Sequence, residues 1–289
     1  MFDRKELKSK AKIILSRSYF MTFLACFIVS IISGGGIGLN MQRLQNFDPS
    51  QMSNIKLLLF SGIVGLLVIV GILFYILLIS PLFVGLKKFM LNTSKGSCNI
   101  EDLLFPFKNN YGNIALTMFM KNLYIFLWSL PAFIPLILSV TVFDLPETVM
   151  LLAKRIQADS VPAAFAMIGI STLLMASTIV FSIPSIIKDL QYSMVQYILA
   201  DNPDMNWKTA IAKSKEMMVG NKWAYIKLMF SFTGWYIISN MVCCIGNFIL
   251  TPYIEATYAQ MYIEISGQKS DYQENSYQQG DFFGGFGRF

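Results

Sequence analysis

Five long stretches of this chain carry no formal charge: Tyr19–Ile37, Leu57–Leu86, Asn122–Phe143, Ser160–Ile187 and Leu228–Ile254 hold no Asp, Glu, Lys or Arg. About 20 mostly apolar residues in a helix cross roughly 30 Å of hydrocarbon, so each stretch is long enough to span a bilayer. Lipid offers no hydrogen bonds to the backbone, which makes helices the expected form of all five. The expected fold is therefore all-α, a polytopic membrane helical bundle with about six transmembrane helices and amphipathic helices on its cytoplasmic face.

Composition agrees. Of the 289 residues 55% are hydrophobic and only 14% charged, and no segment outside the stretches is long enough for a separate soluble core. The net charge of +6 comes without a dense Lys/Arg cluster interleaved with aromatics, which argues against nucleic acid and for loops facing anionic lipid head groups. The chain has no histidine, which removes the commonest general base, the usual zinc site and any Ser-His-Asp or Cys-His device. Cys26, Cys98, Cys243 and Cys244 have no CxxC spacing and read as packing residues. No metal, cofactor or catalytic residue is expected. The first stretch is too long for a secretory signal and reads as a signal-anchor.

Orientation follows the excess of Lys and Arg in cytoplasmic loops. The N-terminal segment carries Arg4, Lys5, Lys8, Lys10, Lys12 and Arg17. Gly38–Lys56 holds only Arg43 and Lys56, Lys87–Lys121 holds five lysines, Asp144–Asp159 is acidic on balance, and Lys188–Lys227 holds six lysines. The loops therefore alternate inside, outside, inside, outside, inside, with the N-terminus cytoplasmic in a plasma membrane.

Leu228–Ile263 is broken only by Glu255, and a straight helix of that length would reach about 54 Å, well beyond the hydrocarbon core. Two short spans meeting near Gly246-Asn247 fit better and return the C-terminus to the cytoplasm. The expected spans are then residues 19–37, 57–84, 122–143, 162–187, 225–245 and 247–265, making residues 1–266 one membrane domain. Residues 267–289, rich in Gln, Ser, Tyr and Gly, read as a disordered tail.

Two polar segments have helical shape. In residues 205–219, Trp207, Ala210, Ile211, Met217 and Met218 fall in one arc, Lys208, Lys213 and Lys215 flank it, and Asp204 or Asn206 precedes as a cap. This helix either lies in the cytoplasmic interface with its lysines toward head groups, or packs on neighbouring helices. Trp207, Lys208, Ile211, Lys215 and Met218 are its candidate interfacial residues. Near the N-terminus, Leu7, Ala11, Ile14 and Leu15 share a face amid lysines, a basic lead-in to the first span.

Two charges approach the membrane interior. Lys121 directly precedes the third span, where snorkelling to the interface is expected, and Glu255 falls near the middle of the sixth. An ionisable residue inside a span is a functional-site candidate, and Lys121 is the partner type the sequence offers. Pro131, Pro135, Pro184 and Pro252 lie within spans, where kinks or half-broken helices are expected.

Taken together, LKSKAKIILSRSY, YSMVQYILADNPDMNWKTAIAKSKEMMVGNKW and KLMFSFTGWYI…TPYIEATYAQMY resemble the DUF975 family of bacterial integral membrane proteins. The likeness covers both ends and the second half. It differs in the long insert between Phe126–Leu130 and Ile183–Met194, and in Ser185 where the family has Gly after the proline. It implies a six-helix membrane protein of a Gram-positive bacterium and supplies no catalytic residues. The function these features favour is that of a non-enzymatic partner or regulator of another membrane or cell-envelope component. A transporter or permease subunit with proline-broken helices is the alternative, and an intramembrane enzyme the third reading.

Overall fold

The computed structural model describes residues 4–33, 54–143, 161–241 and 245–267. The two expected external connections over most of their length, the Cys243-Cys244 pair and nearly all of the expected tail lie outside these residues. Among those described, the structure is all-helical: α1 Arg4–Ile32, α2 Asn54–Phe74, α3 Ser80–Ser94, α4 Phe105–Lys108, α5 Tyr111–Phe143, α6 Val161–Tyr192, α7 Val195–Asp201, α8 Trp207–Met217, α9 Lys222–Met241 and α10 Ile245–Ser266. A π-helical turn, Tyr75–Ile79, joins α2 to α3, and a 3₁₀ segment, Ile100–Leu104, precedes α4.

Among the described residues three helices are long and apolar enough to cross a membrane: Gly62–Ser94, Tyr111–Pro135 and Thr172–Asp201. A fourth is added if the two arms of α1, bent by 97°, count as one. These helices suit a membrane bundle but do not match the expected count of about six. Part of the difference has a physical cause, because absence of charge is not apolarity; the count also covers the described residues alone, which leave out the ends of the expected first and fifth spans. Helix α10 carries Asn247, Thr251, Tyr253, Thr257, Tyr258, Gln260 and Tyr262 beside Glu255, and α9 has Asn240, three Ser or Thr hydroxyls and two tyrosines. In α10 several of these positions are enclosed by protein: Thr257 is fully buried and Gln260 and Tyr262 nearly so. A helix surrounded by other helices is under no requirement to be apolar all round.

The helices divide into two compact units, Met1–Phe119 with Ser193–Phe289, and Met120–Tyr192. In the first, α10 packs against α1, α9 and α3, and α3 against α7 and the 3₁₀ segment. Leu7, Ala11 and Leu15 of α1 are buried, the last two in one cluster with Ala256. Farther along, Phe27 meets Phe248 edge-on at 5.5 Å. These contacts run α1 antiparallel to α10. Ser239 lies against Asn247 while Tyr225 stacks on Tyr258, so α9 is also antiparallel to α10. The pairings Lys87–Glu255 and Ser94–Gln260 make α3 parallel to it.

The bend of α1 falls at Ser18, whose φ of −137° and ψ of 26° leave the helical region. The Ser18 hydroxyl donates to the Ile14 carbonyl, a back-bond that bends helices. The π-turn has a comparable origin. Pro81 has no N–H to offer the Leu77 carbonyl one helical turn earlier, and the Tyr111 hydroxyl donates to that oxygen instead, at 2.6 Å.

The second unit pairs the C-terminal part of α5 with α6. Tyr124 faces Tyr192 at 6.5 Å and the Lys188 ammonium sits 4.6 Å over the Trp128 ring, which fixes an antiparallel pair. Leu173, Met175, Ile179 and Val180 of α6 are more than half exposed. Apolar side chains standing outward like this suit lipid rather than water. Helices α5, α6 and α10 continue through Pro131, Pro135, Pro184 and Pro252. The interruptions fall at Ser18 and before Pro81.

Candidate functional site

Helix α3 does not stop where charge first appears. Its apolar pattern continues through Lys87 and Lys88 into Phe89-Met90-Leu91, and all three of those side chains are almost fully buried. Lys87 is carried into the interior with them. Its ammonium is ion-paired with the Glu255 carboxylate of α10, with the two side chains only 9% and 18% exposed. This corrects the expected partner. Lys121 belongs to the other unit, where it is buried rather than reaching for a surface, and the cation bonded to Glu255 is Lys87.

Around the pair the groups are polar but ordered by bonds within the chain. The Lys87 ammonium lies 5.2 Å from the centre of the Tyr197 ring on α7, a cation–π contact. Tyr197 stacks on Tyr262 at 5.1 Å and 17° between ring planes. The Tyr262 hydroxyl donates to the Asp201 carboxylate at 2.7 Å. One turn beyond Glu255 on α10, the Gln260 amide donates to the Ser94 hydroxyl, which donates to the Met90 carbonyl. Tyr197 Oη is buried with no hydrogen-bond partner among the described residues. An ion pair this deep carries a large desolvation cost, so deleting one partner is worth about 3–5 kcal/mol, more than the net value of the pair.

Below the pair, Asp201-Asn202-Pro203-Asp204 forms a loop gripped from α5. The Asn113 amide donates to two carbonyls at once, Pro203 at 2.7 Å and Met205 at 2.8 Å, and the Asn110 amide donates to Asp204 at 2.9 Å. Asn110 takes a φ of 40°, a left-handed turn that asparagine tolerates better than most residues. Asn206 then caps α8, its side chain accepting from the Lys208 N–H, and Asn221 donates back to the Met217 carbonyl. Gly220, at φ 76°, supplies the turn into α9. Asp201, Asp204, Asn206 and Asn221 of the ADNP…GNKW stretch are thereby bonded within the fold.

Helix α8 occupies residues 207–217 and packs on α7. Ala210, Ile211 and Met218 of the expected arc are buried, Trp207 and Met217 are half-buried, and Lys208, Lys213, Lys215 and Glu216 are exposed. Ser214 is also fully buried, because it lies between Ile211 and Met218 on the same face. The apolar arc is thus covered at least in part by protein.

Sequence reasoning missed Lys87 and Tyr197. Lys87 was counted with the loop cations because it follows an uncharged stretch directly. The available signal was the length of that stretch, 30 residues before Lys87, together with the apolar pattern continuing past it. Tyr197 carried no signal of its own. Among the described residues no group of His, Cys, Asp and Glu could hold a metal ion.

A family model described as Protein of unknown function (DUF975) matches residues 1–269. No curated protein and no solved structure matches the chain.

Proposed function

The chain belongs to the DUF975 family of proteins of unknown function, and we propose that it is a non-enzymatic multi-pass membrane protein acting as a structural partner or regulator of another membrane or cell-envelope component. The observation that carries this reading is the use made of the polar side chains that gave the resemblance. Asp201, Asn206 and Asn221 bond to Tyr262, to the α8 backbone and to the end of α8, so the motif builds a scaffold rather than presenting groups to a substrate. The plasma membrane is its setting, with the N-terminus cytoplasmic and anionic head groups on that side as lipid partners. The helix directions support this threading, since α1 and α9 oppose α10 while α3 runs with it.

A transporter or permease subunit is the second reading, favoured by one specific observation. A buried Lys87–Glu255 pair beside a Tyr197 hydroxyl that has no hydrogen-bond partner among the described residues is the kind of intramembrane ionisable group that lines substrate or proton paths. Isolation of the full chain from its native membranes in mild detergent separates the two. The partner reading expects a defined complex with one envelope or membrane protein, unchanged by Glu255→Gln. Isolation of the chain alone, with solute flux in reconstituted liposomes that Glu255→Gln abolishes, overturns it.

A further inference from the structure

Helices α1 and α9 begin side by side. The Arg4 guanidinium donates to the Lys227 carbonyl at 3.4 Å, and one turn on, the Lys8 ammonium is bonded to Ser231 and lies 4.2 Å over the Phe232 ring. Both strands of contact step by four residues, so the two helices run in the same direction here. The first residues of α9 are Lys222 and Trp223, and Trp223 shares a helical face with Lys227 one turn later.

Trp223 is 70% exposed and its neighbour across the Gly220 turn, Val219, is 72% exposed. An apolar pair this open sits among Arg4, Lys222 and Lys227, and none of these cations is ion-paired among the described residues. The sequence holds no Asp or Glu anywhere from Met217 to Ile254. On the α1 side, the carboxylate of Glu6 is engaged by Lys10. Among the described residues, Arg4, Lys222 and Lys227 thus bring three unpaired cations close to an exposed indole on the first turns of α9.

We propose that Arg4, Lys222 and Lys227 around Trp223 form a site for the head group of an anionic phospholipid. The cations supply the phosphate contacts, Arg4 being able to hold two oxygens at once. Indole prefers the layer between head groups and acyl chains, which explains why Trp223 stays uncovered by protein. An acidic protein surface would satisfy the cations but leave the exposed indole and Val219 without an apolar layer to enter. The site extends the assignment of a membrane location and is independent of whether the chain has a protein partner.

The test uses the full chain in neutral detergent, with thermal unfolding followed as lipid is added in mixed micelles. Phosphatidylglycerol is expected to raise the melting temperature well above the effect of phosphatidylcholine, and inorganic phosphate to leave it unchanged. In R4Q/K227Q the phosphatidylglycerol concentration at half-effect should rise about fivefold for each cation removed, the ratio expected of one cation near an anionic surface. K10Q/K108Q removes the same charge from lysines already paired with Glu6 and Glu101, and should leave that concentration unchanged. Trp223→Ser, at an exposed position, should also weaken the response while the phosphatidylcholine curve keeps its wild-type shape. An unchanged half-effect in R4Q/K227Q, an equal shift in K10Q/K108Q, or an equal stabilisation by phosphate alone would each overturn the proposal.

Discussion

The Lys87 ammonium and the Glu255 carboxylate meet inside the helical bundle although 168 residues separate them in the chain. The pair joins α3 to α10, and Tyr197 of α7 lies against it. Because each charge is screened from water by helices, the loss of one leaves the other buried and alone. Glu255→Ala and Lys87→Met should destabilise the protein by on the order of 3–5 kcal/mol, the largest losses in the bundle, read as a lower melting temperature in detergent. Glu255→Gln, which keeps an acceptor for Lys87, should cost less than Glu255→Ala. A series in which all three variants melt like the wild type would remove the pair from the account.

Gly85 lies where α3 crosses the 3₁₀ segment. A Cβ added there would fall on the Leu103 carbonyl oxygen, whereas one added at Gly112 meets open space. Gly85→Ala should destabilise by at least about 1–3 kcal/mol, since backbone cannot yield as a flexible side chain does. Gly112→Ala should be neutral or slightly stabilising. Thermal unfolding of the two purified variants checks the contrast.

Asn113 holds the Pro203 and Met205 carbonyls with one amide group. Asn113→Ala should cost about 1–3 kcal/mol through two lost bonds. Asn113→Asp should be no better, because a carboxylate has no N–H to donate and would face two carbonyl oxygens. Limited proteolysis should show faster cutting within residues 202–206 in both variants.

The buried arc of α8 gives a fourth contrast. Ile211 is 4% exposed, and Ile211→Asp places a charge against α7, so membrane accumulation should fall severely. Glu216 is exposed and Glu216→Gln should change little. Equal tolerance of both substitutions, measured as protein retained in the membrane fraction, would mean that α8 is not packed.

Helix positions were legible wherever periodicity and punctuation agreed. Leu7, Ala11 and Leu15 share a face and are buried, and Asn206 caps the helix that its position announces. Three features resisted sequence reasoning for separate reasons. Charge-free runs give an expected count of about six, against three among the described residues, partly because hydroxyl and amide groups lower apolarity as surely as charges and α10 hides them among its neighbours. The partner of Glu255 was hidden because Lys87 stands at the edge of an uncharged run, where a loop cation and the middle of a continuing helix look alike. The prolines left a third point open, whether the spans continue through them or break. Losing one hydrogen bond costs less than exposing several backbone groups to lipid, so the helices pass through Pro131, Pro135, Pro184 and Pro252.

The most direct test is a charge exchange between the two residues of the buried pair. Wild type, Lys87→Glu, Glu255→Lys and the double exchange are compared for accumulation in native membranes and for the amount of partner isolated per chain. A structural clamp predicts that each single change, which places two like charges together, sharply lowers accumulation. The double exchange should recover much of it, with partner recovery following the protein level. Full accumulation of the single variants, or a double exchange as depleted as either of them, would contradict the account.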